Sequence, residues 1–242
     1  MTSVGMFALL GVGFVFGLKH ATEVDHVVAV STIVSEHRSV FRSALVGGLW
    51  GAGHTASLVF VGLAVLVFRI AIPATVASWL ELGVALMIIA LGAITVLRVF
   101  RKRARVHLHR HSHDGRSHLH IHFHDVETKH ERLSSLHSHA ISKIGFRPLL
   151  VGTVHGLAGS AAVTLLVLTQ IQSVTLGLLY LAVFGIGATV GMLLMSGLIG
   201  LPFALSGQRL AGVNVGLQSI AGALSIAFGV WYAYEAIVAT RL

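Results

Sequence analysis

Apolar stretches long enough to cross a bilayer recur along this 242-residue chain, and an ionisable cluster interrupts the first of them. Within hydrocarbon every backbone polar group must be satisfied inside the segment, so such stretches fold as helices of about 20 residues. With 55% hydrophobic residues, only 11% charged and a mean hydropathy of +0.86, the composition describes an integral membrane protein. The chain has no cysteine, which leaves nitrogen and oxygen as its only metal donors and excludes disulfides and thiol chemistry. The N-terminus lacks a basic region and a small-residue cleavage pattern, and reads as the start of a span rather than a removable signal.

The expected fold is all-α and polytopic, with about six spans. They run roughly over Val4–Ser35, Phe41–Arg69, Ala74–Phe100, Arg147–Thr169, Val174–Leu205 and Leu210–Ala239. Between the third and fourth lies one long hydrophilic segment, 101–146, with eleven of the sixteen histidines. His107, His109, His111 and His113 alternate with other residues, as do His118, His120, His122 and His124. That period resembles a strand, but the tract has few apolar partners, and we expect a mobile His-rich loop. The formal charge of +8 does not call for nucleic acid, because ten of the seventeen Lys and Arg lie between Arg101 and Arg147. The positive-inside bias then makes this loop cytoplasmic and puts both termini outside.

An internal repeat divides the membrane part. Gly17-Leu18-Lys19-His20 recurs as Gly152-Thr153-Val154-His155, Gly51-Ala52-Gly53-His54-Thr55 as Gly185-Ile186-Gly187-Ala188-Thr189, and Ala90-Leu91-Gly92 as Ala227-Phe228-Gly229. The offsets are 135, 134 and 137 residues. The expected organisation is a three-helix repeat over 1–100, the His-rich loop over 101–146 and a second three-helix repeat over 147–242. Two odd-numbered halves must have inverted topology, as in many secondary transporters with a site near the midplane.

The cluster itself is Lys19-His20-Ala21-Thr22-Glu23-Val24-Asp25-His26, between the apolar runs Val4–Leu18 and Val27–Ser35. Ionisable residues inside a span are costly and mark function by default, and two imidazoles with two carboxylates suit a transition metal. A solvated turn is the alternative, but the cluster has no Pro, Gly or Asn. On a helix His20, Glu23 and His26 drift across about 120° of one face while Asp25 points elsewhere. Either the span is broken here, or Asp25 orients an imidazole by accepting its N–H. In the second span His54 follows Gly47, Gly48, Gly51 and Gly53, small residues that let helices approach closely. His155 stands in the fourth span where the repeat matches His20, with Ala158, Ser160 and Ala161 at the places of Glu23, Asp25 and His26. The candidate metal ligands are therefore His20, Glu23, Asp25, His26, His54 and His155, with most donors in the first half.

These residues resemble the nickel/cobalt transporter family and its urease-associated relatives. The family's His-x-x-x-x-Asp-His signature, led by a basic residue and His-Ala, is matched by Lys19 to His26, and its Gly-His-Ser/Thr element by Gly53-His54-Thr55. The middle of the first motif carries Glu23 or Val24 where the family has Asp, and a later Gly-Phe-Asp-Thr element is replaced by His155-Gly156-Leu157-Ala158-Gly159-Ser160. Six spans are also fewer than the eight of the best-known importers, which bears on metal preference and transport direction.

The expected function is transport of divalent transition metals, nickel or cobalt first and Zn²⁺, Cu²⁺ or Fe²⁺ after them. His20 and His26 would be primary ligands, His54 and His155 would complete the site, and Asp25 and Glu23 would supply charge. No enzymatic activity and no prosthetic group is expected. The partners are the metal ion and the bilayer of the inner cell membrane, with a metallochaperone or a second copy of the chain as further candidates. The alternatives are an exporter of the same family, a membrane metal-delivery or storage partner for metalloenzyme assembly, and an intramembrane metalloenzyme. The last is disfavoured because His20 and His26 are six apart and Ala21 follows the first, unlike the zincin spacing.

Overall fold

The computed structural model describes residues 3–69, 72–103, 107–113, 116–122, 145–158, 173–206 and 210–239. Among them are seven helices: α1 (Ser3–His20), α2 (Val24–Val34), α3 (Val40–Phe68), α4 (Ala74–Arg103), α5 (Arg147–Ala158), α6 (Val174–Leu205) and α7 (Ala211–Ala239). Ser39 and Ser173 cap α3 and α6, each hydroxyl accepting a backbone N–H three residues on. Arg69 ends α3 in the left-handed conformation, φ 52°.

Among the described residues four helices are long and apolar enough to cross a membrane, and a fifth crossing forms if α1 and α2 count as one span bent by 55°. The all-α polytopic fold read from the sequence is therefore the fold observed. Of the expected fourth span, α5 is the first part; its end at Thr169 lies outside the described residues, with Ser160 and Ala161.

One local expectation is corrected. Two strands, β1 (His107–His113) and β2 (Arg116–His122), form an antiparallel hairpin where a mobile loop was expected. The register sets His107 opposite His122, His109 opposite His120 and His111 opposite His118. The period-two alternation of the tract is that of a strand, and the backbone ladder forms although few apolar residues accompany it. The rest of the tract, His124 included, lies outside the described residues.

The helices pack in pairs: α3 along α6, α4 along α7, α1 along α6 and α5 along α3. Glycines set the approach. A Cβ at Gly17 would strike the carbonyl of Phe184, and one at Gly152 the carbonyl of Trp50. Likewise Gly187 abuts the Phe14 carbonyl as Gly53 abuts that of Leu149, and Gly92 meets the Gly222 carbonyl as Gly229 meets that of Ala85. Each contact thus has a counterpart 134 to 137 residues along. Between α3 and α6 the Thr55 and Thr189 hydroxyls meet at 3.0 Å, themselves 134 residues apart. In lipid, close backbone packing and such hydroxyl bonds replace the hydrophobic drive between helices.

One end of the bundle is tied by polar contacts. Arg98 on α4 pairs with Glu36, just past α2. Gln218 on α7 donates to the Ser35 carbonyl at 3.2 Å, and Asn214 donates to the Phe203 carbonyl and the Ser206 hydroxyl. The α2–α3 connection, the end of α4 and the α6–α7 connection therefore share the end from which the chain enters the His-rich segment. Apolar side chains such as Phe60, Leu198 and Leu224 stay exposed on the outer faces, where lipid would meet them.

Gly17→Leu or Gly152→Leu should destabilise the protein by about 1–3 kcal/mol or more, because the obstacle is backbone. Gly11→Leu, with nothing within 4 Å of its Cβ position, should change little. Thermal denaturation of the detergent-solubilised variants reads the difference.

Candidate metal centre

The helix of the first span stops at His20. Ala21, Thr22 and Glu23 form a turn: the amides of Thr22 and Glu23 donate to the Lys19 and His20 carbonyls at 2.9 and 3.1 Å, and the Thr22 hydroxyl adds a bond to Lys19 at 2.6 Å. Glu23 takes an extended ψ of 148°, and α2 then starts with Val24 in its new direction. The turn needs neither glycine nor proline, because a short i→i+3 ring and a hydroxyl satisfy the freed carbonyl. The absence of turn residues therefore misled in this one respect, while a break in the helix, one of the two arrangements the donor geometry allowed, is present.

The break brings the cluster together. His20 Nε2 lies 3.0 Å from His54 Nε2 on α3, and His20 Nδ1 lies 3.1 Å from Glu23 Oε2. Asp25 Oδ1 accepts from the backbone N–H and Nδ1 of His26, both at 2.9 Å. Asp25 Oδ2 lies 3.0 Å from His155 Nε2 on α5. Asp25 thus orients two imidazoles at once, the role a carboxylate plays behind ligating histidines. The two sequence alternatives, a broken helix and an orienting Asp25, hold together.

His20, Asp25, His26, His54 and His155 are all buried, while Glu23 is 43% exposed at the turn. His26 Nε2, His54 Nδ1, His155 Nδ1 and Trp50 Nε1 are buried with no hydrogen-bond partner. Buried polar atoms are seldom left so; an imidazole nitrogen without a proton offers its lone pair to a ligand, while the Trp50 N–H can only donate. The donors form two groups, His20–His26–His54 and Asp25–His26–His155, each with its ligand atoms within 4.8 Å of one another. Neutral imidazole with a carboxylate suits borderline divalent metals.

Every candidate residue read from the sequence lies in or beside this cluster. Trp50 was missed. Its ring stacks on His26 at 5.5 Å and 29°, and stands edge-on to His155 at the same distance. Phe184 on α6 closes the other side, 5.6 Å from His20. The available signal was position: Trp50 is one turn before His54 and shares its helix face. Gly152 and Gly156 of α5 sit against the Trp50 and His54 backbone, which seats His155 between them.

Trp50→Ala should lower stability by about 3–5 kcal/mol by opening a cavity over two imidazoles. Trp50→Phe keeps an aromatic face and should lose much less, as judged by thermal denaturation in detergent.

No family model matches the chain, and no solved structure matches it. Over 182 residues it is 27% identical to the chloroplast protein FOR GROWTH AND FERTILITY 1 of Arabidopsis thaliana, which covers 74% of this chain and 46% of that protein. Over 239 residues it is 36% identical to the urease accessory protein UreH of Bacillus sp. (strain TB-90), covering 97% of this chain and 94% of that protein. That relative is named as accessory to an enzyme, in agreement with a non-enzymatic reading. The chain therefore belongs to the family of the urease accessory protein UreH, the urease-associated branch of the nickel/cobalt transporters that its Lys19–His26 motif resembles.

Proposed function

We propose that this protein carries divalent transition-metal ions, nickel first and cobalt second, across the inner cell membrane. The observation that carries the reading is the convergence of four buried imidazoles and Asp25 from α1, α2, α3 and α5 at a broken helix in a multi-pass membrane protein. Such a set is too expensive in lipid to be idle, and its borderline donors match the cargo. The relative that serves urease favours nickel. The ion takes its imidazoles from among His20, His26, His54 and His155, Asp25 offsets part of its charge, and Glu23 stands at the exposed rim.

Residues 1–100 and 147–242 act as two inverted repeats that rock about this site, and the paired glycine contacts support that symmetry. The segment 101–146 faces the cytoplasm, in line with its basic residues. A second reading, membrane delivery of metal to an enzyme under assembly, takes support from the accessory role in the relative's name.

Proteoliposomes offered a panel of divalent ions under an imposed pH gradient decide between them. The transporter moves Ni²⁺, and His26→Ala reduces flux to the level of empty vesicles at equal protein. Unchanged flux in His26→Ala contradicts the site, and binding without flux in the wild type favours delivery. Deleting 106–139 should leave flux in place with altered affinity, whereas a storage protein would lose its function.

A further inference from the structure

Resting on the transport reading, we propose that the centre holds its ion at two overlapping positions that share His26, and that the ion passes between the two halves of the protein by exchanging partners on that imidazole. The donors do not close as one set. His20, His26 and His54 form one triad, and Asp25, His26 and His155 form another, each within 4.8 Å. Two ligands on opposite sides of one ion lie at most ~4.2 Å apart when each bond is about 2.1 Å. Each triad is close to closing on an ion by a small shift, whereas no group among the described residues joins the donors of both.

The triads also differ in chemistry and in origin. The first is three imidazoles from α1, α2 and α3, all in the first half of the chain. The second adds a carboxylate and draws His155 from α5, in the second half. Only the second position is altered when the halves move against each other. Its ion is held by Asp25, whose Oδ2 now accepts from His155 Nε2, and His155 keeps Nδ1 buried without a partner. An ion entering there takes Asp25 Oδ2 and His155 Nε2 in place of their hydrogen bond, the Nε2 proton moving to the unpartnered Nδ1 of the same ring, which ties occupancy to the contact between halves. Trp50, stacked on His26 and edge-on to His155, holds the shared ring in reach of both positions.

The test separates binding from movement. The parent is the full-length chain with the eleven histidines of 101–146 replaced by asparagine, so that Ni²⁺ counted by equilibrium dialysis in nanodiscs reports the buried centre. His155→Ala removes the second position, and His155→Gln does so while still able to donate to Asp25. Both should keep one Ni²⁺ per chain with affinity within tenfold of the parent, and lose at least tenfold in proteoliposome flux. His54→Ala should do the same by removing the first position, and His26→Ala should lose binding and flux together. Parallel loss of binding and flux in His155→Gln, or retention of both, overturns the two-position inference. A parent that binds Ni²⁺ but moves none fails at the transport reading instead.

Discussion

A carboxylate buried in a bundle that lies in lipid must be partnered on both oxygens, and Asp25 is partnered by two histidines from different parts of the chain. Oδ1 takes the backbone and ring N–H of His26, and Oδ2 faces His155. On a helix running unbroken from α1, Asp25 would turn away from the face that carries His20 and His26. The 55° bend at Ala21–Glu23 redirects α2, so that Asp25 and His26 meet each other and His155, while His20, at the end of α1, meets His54.

The second requirement is proximity. Side chains on α3 and α5 reach the cluster only because backbones approach closely, Gly152 and Gly156 against α3, and Gly17 and Gly191 between α1 and α6. Small residues therefore do for this site what large apolar ones do in a soluble core. Of the large residues that remain inside, Trp50 and Phe184 stand against the imidazoles, and Tyr180 and Met192 are buried in the same core. Burial strengthens the electrostatic consequence of each donor.

Much of this was legible in the residues. Apolar length gave the long helices, the price of charge in lipid singled out Lys19 to His26, and the recurrence of Gly17–His20 at Gly152–His155 pointed to His155 as a partner. The turn was not legible, because Thr22 closes it with its hydroxyl and an i→i+3 ring rather than with a turn residue. Trp50 was not, because a tryptophan among apolar neighbours looks like packing until its ring is seen against His26. In the His-rich tract the period-two alternation is that of a strand, and the hairpin forms through its backbone ladder although apolar partners are few.

The central claim is that nickel is held directly by the imidazoles at the helix break. Nickel-edge X-ray absorption of the Ni²⁺-loaded chain in nanodiscs, with the histidines of 101–146 replaced by asparagine, tests it most directly. The account predicts several imidazole nitrogens bound to the metal, lost in His26→Ala. An all-oxygen spectrum of hydrated Ni²⁺, or an imidazole signal that His26→Ala leaves intact, would contradict it.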